Sequence, residues 1–246
     1  MELMPTLPVR TVFVTMPHAR MRRALFEQQL QRDRAIHEII GRPEYVTGMP
    51  PRNCHAPVGI DLTQHSWSCY MTQLREIDRA LAERADALLI LEDDIVFDST
   101  FVLGTVQFLR AVLQALELGQ LSDVPHVFML GGNHKAKPRD VAPGFYVCTD
   151  TTMHHAWLLT RAGLAAVSEL LHDFNYVREL GRTGRKQNKD QVVASAMACG
   201  RVRAVCPRHR WLAHQRVGRS DRSGTTFRAR PGWGVARTNP NVRWKE

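Results

Sequence analysis

Short aliphatic and β-branched runs alternate along this chain with longer stretches whose apolar residues recur at helical spacing. Residues 11–16 (TVFVTM) form such a run, ended by Pro17, and predict a first buried strand. From Arg20 to Ile40 the spacing of Leu25, Phe26, Leu30 and Ile36 predicts helix, broken by Gly41-Arg42-Pro43. Residues 47–64 are rich in Pro, Gly and Asn and predict a loop. A helix is expected over about 65–84, with Tyr70, Leu74, Ile77 and Leu81 as its apolar stripe. Residues 87–91 (ALLIL) predict a buried strand that stops at Glu92-Asp93-Asp94. Further helices are expected over 99–118, 161–172 and 189–199. Further strands are expected over 127–130, 146–148, 156–160 and 202–206. No internal repeat is visible.

Alternation of strand and helix predicts an α/β fold with a mainly parallel sheet flanked by helices. Ligands in such sheets bind beyond the carboxyl ends of the strands. The acidic triplet and Gly131-Gly132 both fall at predicted strand ends. Three carboxylates directly after a buried apolar strand are costly unless something pairs with them. A divalent cation is a natural partner: Mg²⁺ and Mn²⁺ prefer oxygen ligands and bridge carboxylates to phosphates. The competing reading is an acidic turn that caps the next helix, where Asp98-Ser99 also offers N-cap chemistry.

The length of 246 residues suits one domain, or one domain plus a tail. We divide it into a domain over 1–206 and a basic segment over 207–246. No apolar run approaches the ~18 residues that span a bilayer, and the first ten residues lack the apolar core of a secretory signal. These features give the expectation of a soluble, cytoplasmic protein. Five cysteines at irregular spacing argue against a disulfide framework. Residues 201–246 hold 12 Lys+Arg and 2 Asp+Glu, a net +10, while the other 200 residues hold 21 and 22, a net −1. The whole positive excess therefore lies in the last fifth of the chain, and such a field attracts polyanions.

Several motifs, in order, resemble a known family. They are VFVTMPHARMRR (12–23), SCYMTQLREIDRAL (68–81), LILEDDIVF (89–97), MLGGNHKAKP (129–138), TTMHHAWLLTRAG (151–163), NKDQVVA (188–194) and PRHRWLAHQRVGRSD (207–221). Together they resemble the glycosyltransferases that include bacterial lipooligosaccharide enzymes and collagen galactosyltransferases, with phage and viral relatives. The family's usual Ser-His pair on the second motif is Thr72-Gln73 here. The resemblance implies a GT-A fold, a Rossmann-like sheet with a DxD-type metal motif. It also implies a nucleotide-sugar donor, a UDP-sugar first, with Mn²⁺ or Mg²⁺. Thr15, Pro17, Arg20, Glu92, Asp93, Gly131 and Gly132 would then line the donor. Asp94 would ligate the metal, completed by a late histidine, His214 first and His155 second.

An inverting transfer needs a carboxylate to take the acceptor's proton. Asp190, after the basic loop GRTGRKQNK (181–189), is the candidate, against the alternative that it is an N-cap. The loop could close over donor phosphates, bind a polyanionic acceptor, or stay solvated. Cys199, Cys206, His209 and His214 have the right types for zinc but an unusual spacing. The basic segment interleaves arginines with aromatic rings that can stack on bases or sugars. Arg216, Arg219, Arg222, Arg228 and Trp233 are therefore candidate acceptor contacts. DNA carrying hydroxymethylated pyrimidines, a phage-type substrate, is favoured over glycolipid or lipooligosaccharide. The other classes that remain open are a non-catalytic nucleic-acid-binding protein and a nucleotidyltransferase on the same fold.

Overall fold

The computed structural model describes residues 9–16, 19–208, 211–215, 218–219 and 226–227. The chain begins with β1 (Val9–Thr15), followed by α1 (Arg20–Arg32), α2 (Ala35–Ile40) and β2 (Glu44–Thr47). After a single 3-10 turn come α3 (Gln64–Ala82), β3 (Ala87–Glu92), β4 (Ile95–Phe97) and α4 (Phe101–Glu117). The middle of the chain supplies β5 (Val127–His134), β6 (Arg139–Ala142), β7 (Phe145–Val147) and β8 (Thr151–Thr160). Then α5 (Arg161–His172), α6 (Phe174–Arg182) and α7 (Lys189–Ala198) lead to β9 (Ala204–Pro207) and β10 (Ala213–Gln215). Two-residue strands β11 (Gly218–Arg219) and β12 (Thr226–Phe227) pair with each other.

Eight strands form one sheet in the order β2-β1-β3-β8-β5-β9-β7-β6. β1 runs parallel to β2 and β3, and β5 runs parallel to β9. β8 is inserted antiparallel between β3 and β5, and β7 is antiparallel to both β9 and β6. Only β8 and β7 therefore oppose the common direction, so the expected α/β layout with a mainly parallel sheet is present.

Strand alternation sorts the apolar residues onto two faces. Val12, Leu88, Ile90, Val127, Met129, Trp157 and Leu159 pack with α3, α5, α6 and α7. Phe13, Leu89, Leu91, Phe128 and Leu130 pack with α1, α2 and α4. Phe13 and Phe26 stack with ring centroids 4.0 Å apart, which fixes α1 against β1. The sheet is thus buried on both sides, which explains why its strands read as continuous apolar runs. Among the described residues no helix is long and apolar enough to cross a membrane.

The expected helix over 20–40 is two helices. The first ends as Asp33 turns to an extended conformation, and its carboxylate accepts from the Ala35 amide (3.1 Å) to start the second. Beyond β9, Trp211, Leu212 and Ala213 are buried, and β10 pairs with β4.

Candidate functional site

The strand order reverses at β1: the chain goes from β1 to β2 on one side and then to β3 on the other. Such a switch opens a crevice at the carboxyl ends of the two strands. β1 ends there at Thr15 and β3 at Glu92, with Val14 paired to Glu92. β5 reaches the same edge with Gly131–His134, and antiparallel β8 begins there with Thr151–His155. Sheet topology alone therefore gathers most of the candidate residues on one edge.

The three acidic residues have different surroundings. Asp93 accepts from the Thr15 hydroxyl (3.1 Å) and from the Arg22 guanidinium (2.8 Å). Glu92 accepts from the Gln73 side-chain amide at 2.8 Å. The Lys189 ammonium donates to the Gln73 carbonyl oxygen (2.9 Å), and lies 3.7 Å from Glu92 and 2.9 Å from Asp190. Asp94 occupies the turn between β3 and β4. The triplet does not cap the next helix. The N-cap of α4 is Thr100, without a side-chain cap, and Asp98 accepts from the Thr100 amide (2.8 Å) and hydroxyl (2.6 Å) in the turn just ahead of it.

Asp190 is not the N-cap of α7 either. Asn188 is, its side chain accepting from the Gln191 amide. The Asp190 carboxylate reaches across to β8 and accepts from the Met153 amide at 3.1 Å. Met153 has a φ of 57°, in the left-handed region that a side chain rarely adopts. In that conformation the Met153 amide points to Asp190.

The two histidines of β8 are buried. His154 donates through Nε2 to the Thr151 carbonyl (2.7 Å), and its Nδ1 lies 3.7 Å from Asp190. Burial pulls its pKa down to about 4, against the opposing pull of Asp190, so the ring is neutral near pH 7. His155 commits Nε2 to the Ala213 carbonyl (3.1 Å), and burial lowers its pKa as well. Gly131 is required at this point: a Cβ there would lie 2.3 Å from His155 Nε2 and 2.6 Å from the Ala213 oxygen. The pairing of β5 with β8 is irregular on either side of Gly131, which carries β5 past the glycines to His134.

His214 stands opposite Val96 in the pairing of β10 with β4, with Nε2 3.5 Å from Asp98. Arg20 is exposed at the start of α1, apart from the ion pair that Arg22 makes two residues on. The basic loop is held in part: Gln187 is buried and bonds to Asp61, Gly59 and Val177, and Arg185 bonds to Ser195. The expectations on Pro17, His209, Arg216, Arg222, Arg228 and Trp233, and on the Arg219 side chain, lie outside the described residues.

Of the four residues considered for zinc from sequence, His209 lies outside the described residues and Cys199 is exposed at the end of α7. Cys206 instead faces His134 and Cys148. Burial pushes the Cys206 thiol well up and pulls His134 down to about 4.

Comparison with known proteins adds little. No protein-family profile matches the sequence. No curated protein matches it. Among solved structures the chain is similar to a mannose-1-phosphate geranyltransferase from Thermus thermophilus, at 14% identity over 85% of this chain and 74% of that one, with a TM-score of 0.42. It is also similar to a glycosyltransferase involved in the glycosylation of the major capsid of PBCV-1, at 12% identity over 68% of each chain, with a TM-score of 0.34. These likenesses are too distant to assign any residue, and the site rests on its own geometry.

Sequence reasoning missed four members of the cluster: Arg22, Gln73, Lys189 and Met153. Arg22 lies inside a motif singled out for its arginines, so the charge needed to hold Asp93 was a usable signal. Gln73 carried none, because Glu92 and Lys189 lie 19 and 116 positions away, and nothing in the sequence showed that Lys189, at the end of the basic loop beside Asp190, turns inward.

Proposed function

We propose that the chain is a metal-dependent glycosyltransferase of the GT-A type. It transfers a sugar from a nucleoside diphosphate donor, a UDP-sugar first, to a hydroxyl of a polyanionic acceptor. The observation that carries this reading is the joining of Glu92 and Asp190 through Lys189 and Gln73, at the edge where the paired strands β1 and β3 end. On this reading a carboxylate for the donor and a separate carboxylate for the acceptor belong to one side-chain cluster.

The donor set suits a hard cation. Mg²⁺ and Mn²⁺ take one or two protein carboxylates and fill the remaining positions with phosphate oxygens and water. Asp94, in the turn directly after Glu92 and Asp93, is assigned as that carboxylate on oxygen-ligand chemistry, and His214 as its helper from β10. The metal would supply charge neutralisation on the departing diphosphate. The remaining chemistry belongs to this chain's residues. Arg22 and Thr15 fix Asp93 at the mouth of the crevice. Gly131 allows the backbone of β5 to approach closely. Asp190 takes the proton of the acceptor hydroxyl as its oxygen bonds to the anomeric carbon and the bond to the diphosphate breaks. Lys189 offsets the charge of Asp190 and Glu92 within a partly buried cluster.

The acceptor reading is supported by charge. A net +10 over residues 201–246 suits a polymer with regular negative charge, and DNA with hydroxymethylated pyrimidines offers both phosphates and a hydroxyl. The test is mass spectrometry of nucleosides from such DNA, incubated with enzyme, Mn²⁺ or Mg²⁺ and a panel of UDP- and GDP-sugars. A sugar-sized mass gain that requires metal and disappears in Asp94→Ala is expected. Donor hydrolysis without DNA modification would move the acceptor to glycolipid or lipooligosaccharide. A nucleotide-sized gain would make the chain a nucleotidyltransferase. Salt-sensitive DNA binding unchanged in Asp94→Ala, with no donor turnover, would make it a binding protein.

A further inference from the structure

At the far side of β5 from the acidic triplet, three soft-to-borderline donors converge. His134 closes β5, Cys148 follows β7, and Cys206 lies in β9. In the β7–β9 ladder Tyr146 stands opposite Cys206, and the Cys148 amide donates to the Ala204 carbonyl (2.8 Å). Cys148 and Cys206 are therefore diagonal neighbours on one face of the sheet, close enough for their side chains to meet. Cys206 Sγ lies 3.5 Å from His134 Nε2, and one ligand atom from each of the three residues falls within 4.8 Å of the others. Both cysteines are buried, at 0% and 3% exposure for Cys206 and Cys148.

We infer that His134, Cys148 and Cys206 form a zinc site that staples β5, β7 and β9 together next to the crevice. The inference is independent of the glycosyltransferase reading. Zinc bonds of about 2.3 Å to sulfur and 2.0–2.1 Å to nitrogen, at a tetrahedral angle, place S and N about 3.5 Å apart. The observed separation of Cys206 Sγ and His134 Nε2 matches. The histidine is also set as metal-bound histidines are set. Its other nitrogen, Nδ1, bonds to the Thr151 hydroxyl at 2.8 Å, which aims Nε2 at the thiols. The Trp211 ring packs on the imidazole with centroids 4.9 Å apart, and holds its plane. Three protein ligands leave the fourth tetrahedral position to water. Two thiolates and a neutral imidazole favour zinc over the hard cations assigned to the carboxylates. The two sites therefore select different metals. The staple would fix the start of β8, because Thr151 both orients His134 and accepts from His154 through its carbonyl.

The experiment uses the full chain, purified under reductant and stripped of metal, then titrated with Co²⁺ and back-titrated with Zn²⁺. One equivalent of Co²⁺ is expected, with a sulfur-to-cobalt charge-transfer band and tetrahedral ligand-field bands that Zn²⁺ abolishes. The bands should be lost in Cys206→Ser and kept in Cys54→Ser, a buried cysteine elsewhere. If Cys206→Ser fails to fold, alkylation of the wild-type chain decides. Zn²⁺ should protect Cys148 and Cys206 and leave Cys69 unchanged. Three results would overturn the site: no sulfur-to-cobalt band in folded wild-type protein, a band that persists in Cys206→Ser, or thiols equally reactive with and without Zn²⁺. In those cases the 3.5 Å contact is a thiol–imidazole hydrogen bond, or the cysteines are a redox pair that closes to a disulfide on oxidation.

Discussion

Lys189 and Asp190 are adjacent in sequence, yet their charged groups meet at 2.9 Å. Neighbouring positions on a helix interior point apart. Here both lie in the first turn of α7, and the contact forms because Lys189 is drawn inward over the Trp157 ring, 5.0 Å from its centroid. The Lys189 side chain is 5% exposed, and the carboxylates around it are 19% and 26% exposed.

Lys189→Met should therefore destabilise the chain more than an ordinary surface change. Removing one member of a buried ion pair costs about 3–5 kcal/mol, and the partial exposure of Asp190 places this case near the lower end. Urea unfolding measures the loss. The double variant Lys189→Met/Asp190→Asn should recover part of it, because the uncompensated charge is gone. Equal stability for Lys189→Met and wild type would show that the cluster is not coupled as described.

Gly131→Ala should lose about 1–3 kcal/mol through overpacking. The new methyl would meet His155 and the Ala213 carbonyl, so β10 must shift. Thermal unfolding gives the stability, and the His155 ring resonances in a proton–nitrogen spectrum report the shift. A variant with unchanged stability and unchanged His155 signals would remove the close approach from the account.

The fold was legible where periodicity was long. The helix at 161–172 has the predicted limits, and those of α3 and α4 differ from prediction by two residues or fewer at each end. Of the short elements, β7 and β9 were expected over 146–148 and 202–206, while β2, β4 and β6 were not legible. β4 is three residues, and it exists because β10 pairs with it and Gln29 bonds to Ile95 and Phe97. The direction of β8 was not legible either, since an apolar run looks the same in either direction. In the site, the acidic triplet, Thr15 and the glycines were readable as types at strand ends. The role of Gln73 was not: the position departs from the resembled family's Ser-His pair, and only the fold shows it bridging Glu92 and Lys189.

Acidification should weaken the fold through His154. Its folded-state pKa of about 4 lies below the ordinary 6.5 because burial disfavours the charged ring. Above pH 6.5 neither state binds the proton, and the residue contributes no pH dependence. As the pH falls from 6.5 toward 4, the unfolded chain takes up a proton that the folded chain refuses, so stability drops, by up to about 3 kcal/mol. Below about 4 the slope flattens. Urea midpoints across this window should fall in wild type and fall less steeply in His154→Gln. An identical slope in the two proteins would sink the assignment.

The contacts that build the crevice join residues 37, 58, 78 and 116 positions apart. No short fragment of the chain contains a local precursor of it. Each closure fixes a long loop before any of its contacts can repay the lost chain entropy. The Met153–Asp190 and Gln73–Lys189 bonds should thus form late in refolding, after the apolar faces of the sheet have collapsed. A refolding chain would regain compactness before it regains the site, and mutations at the crevice would show mainly in the rate of unfolding.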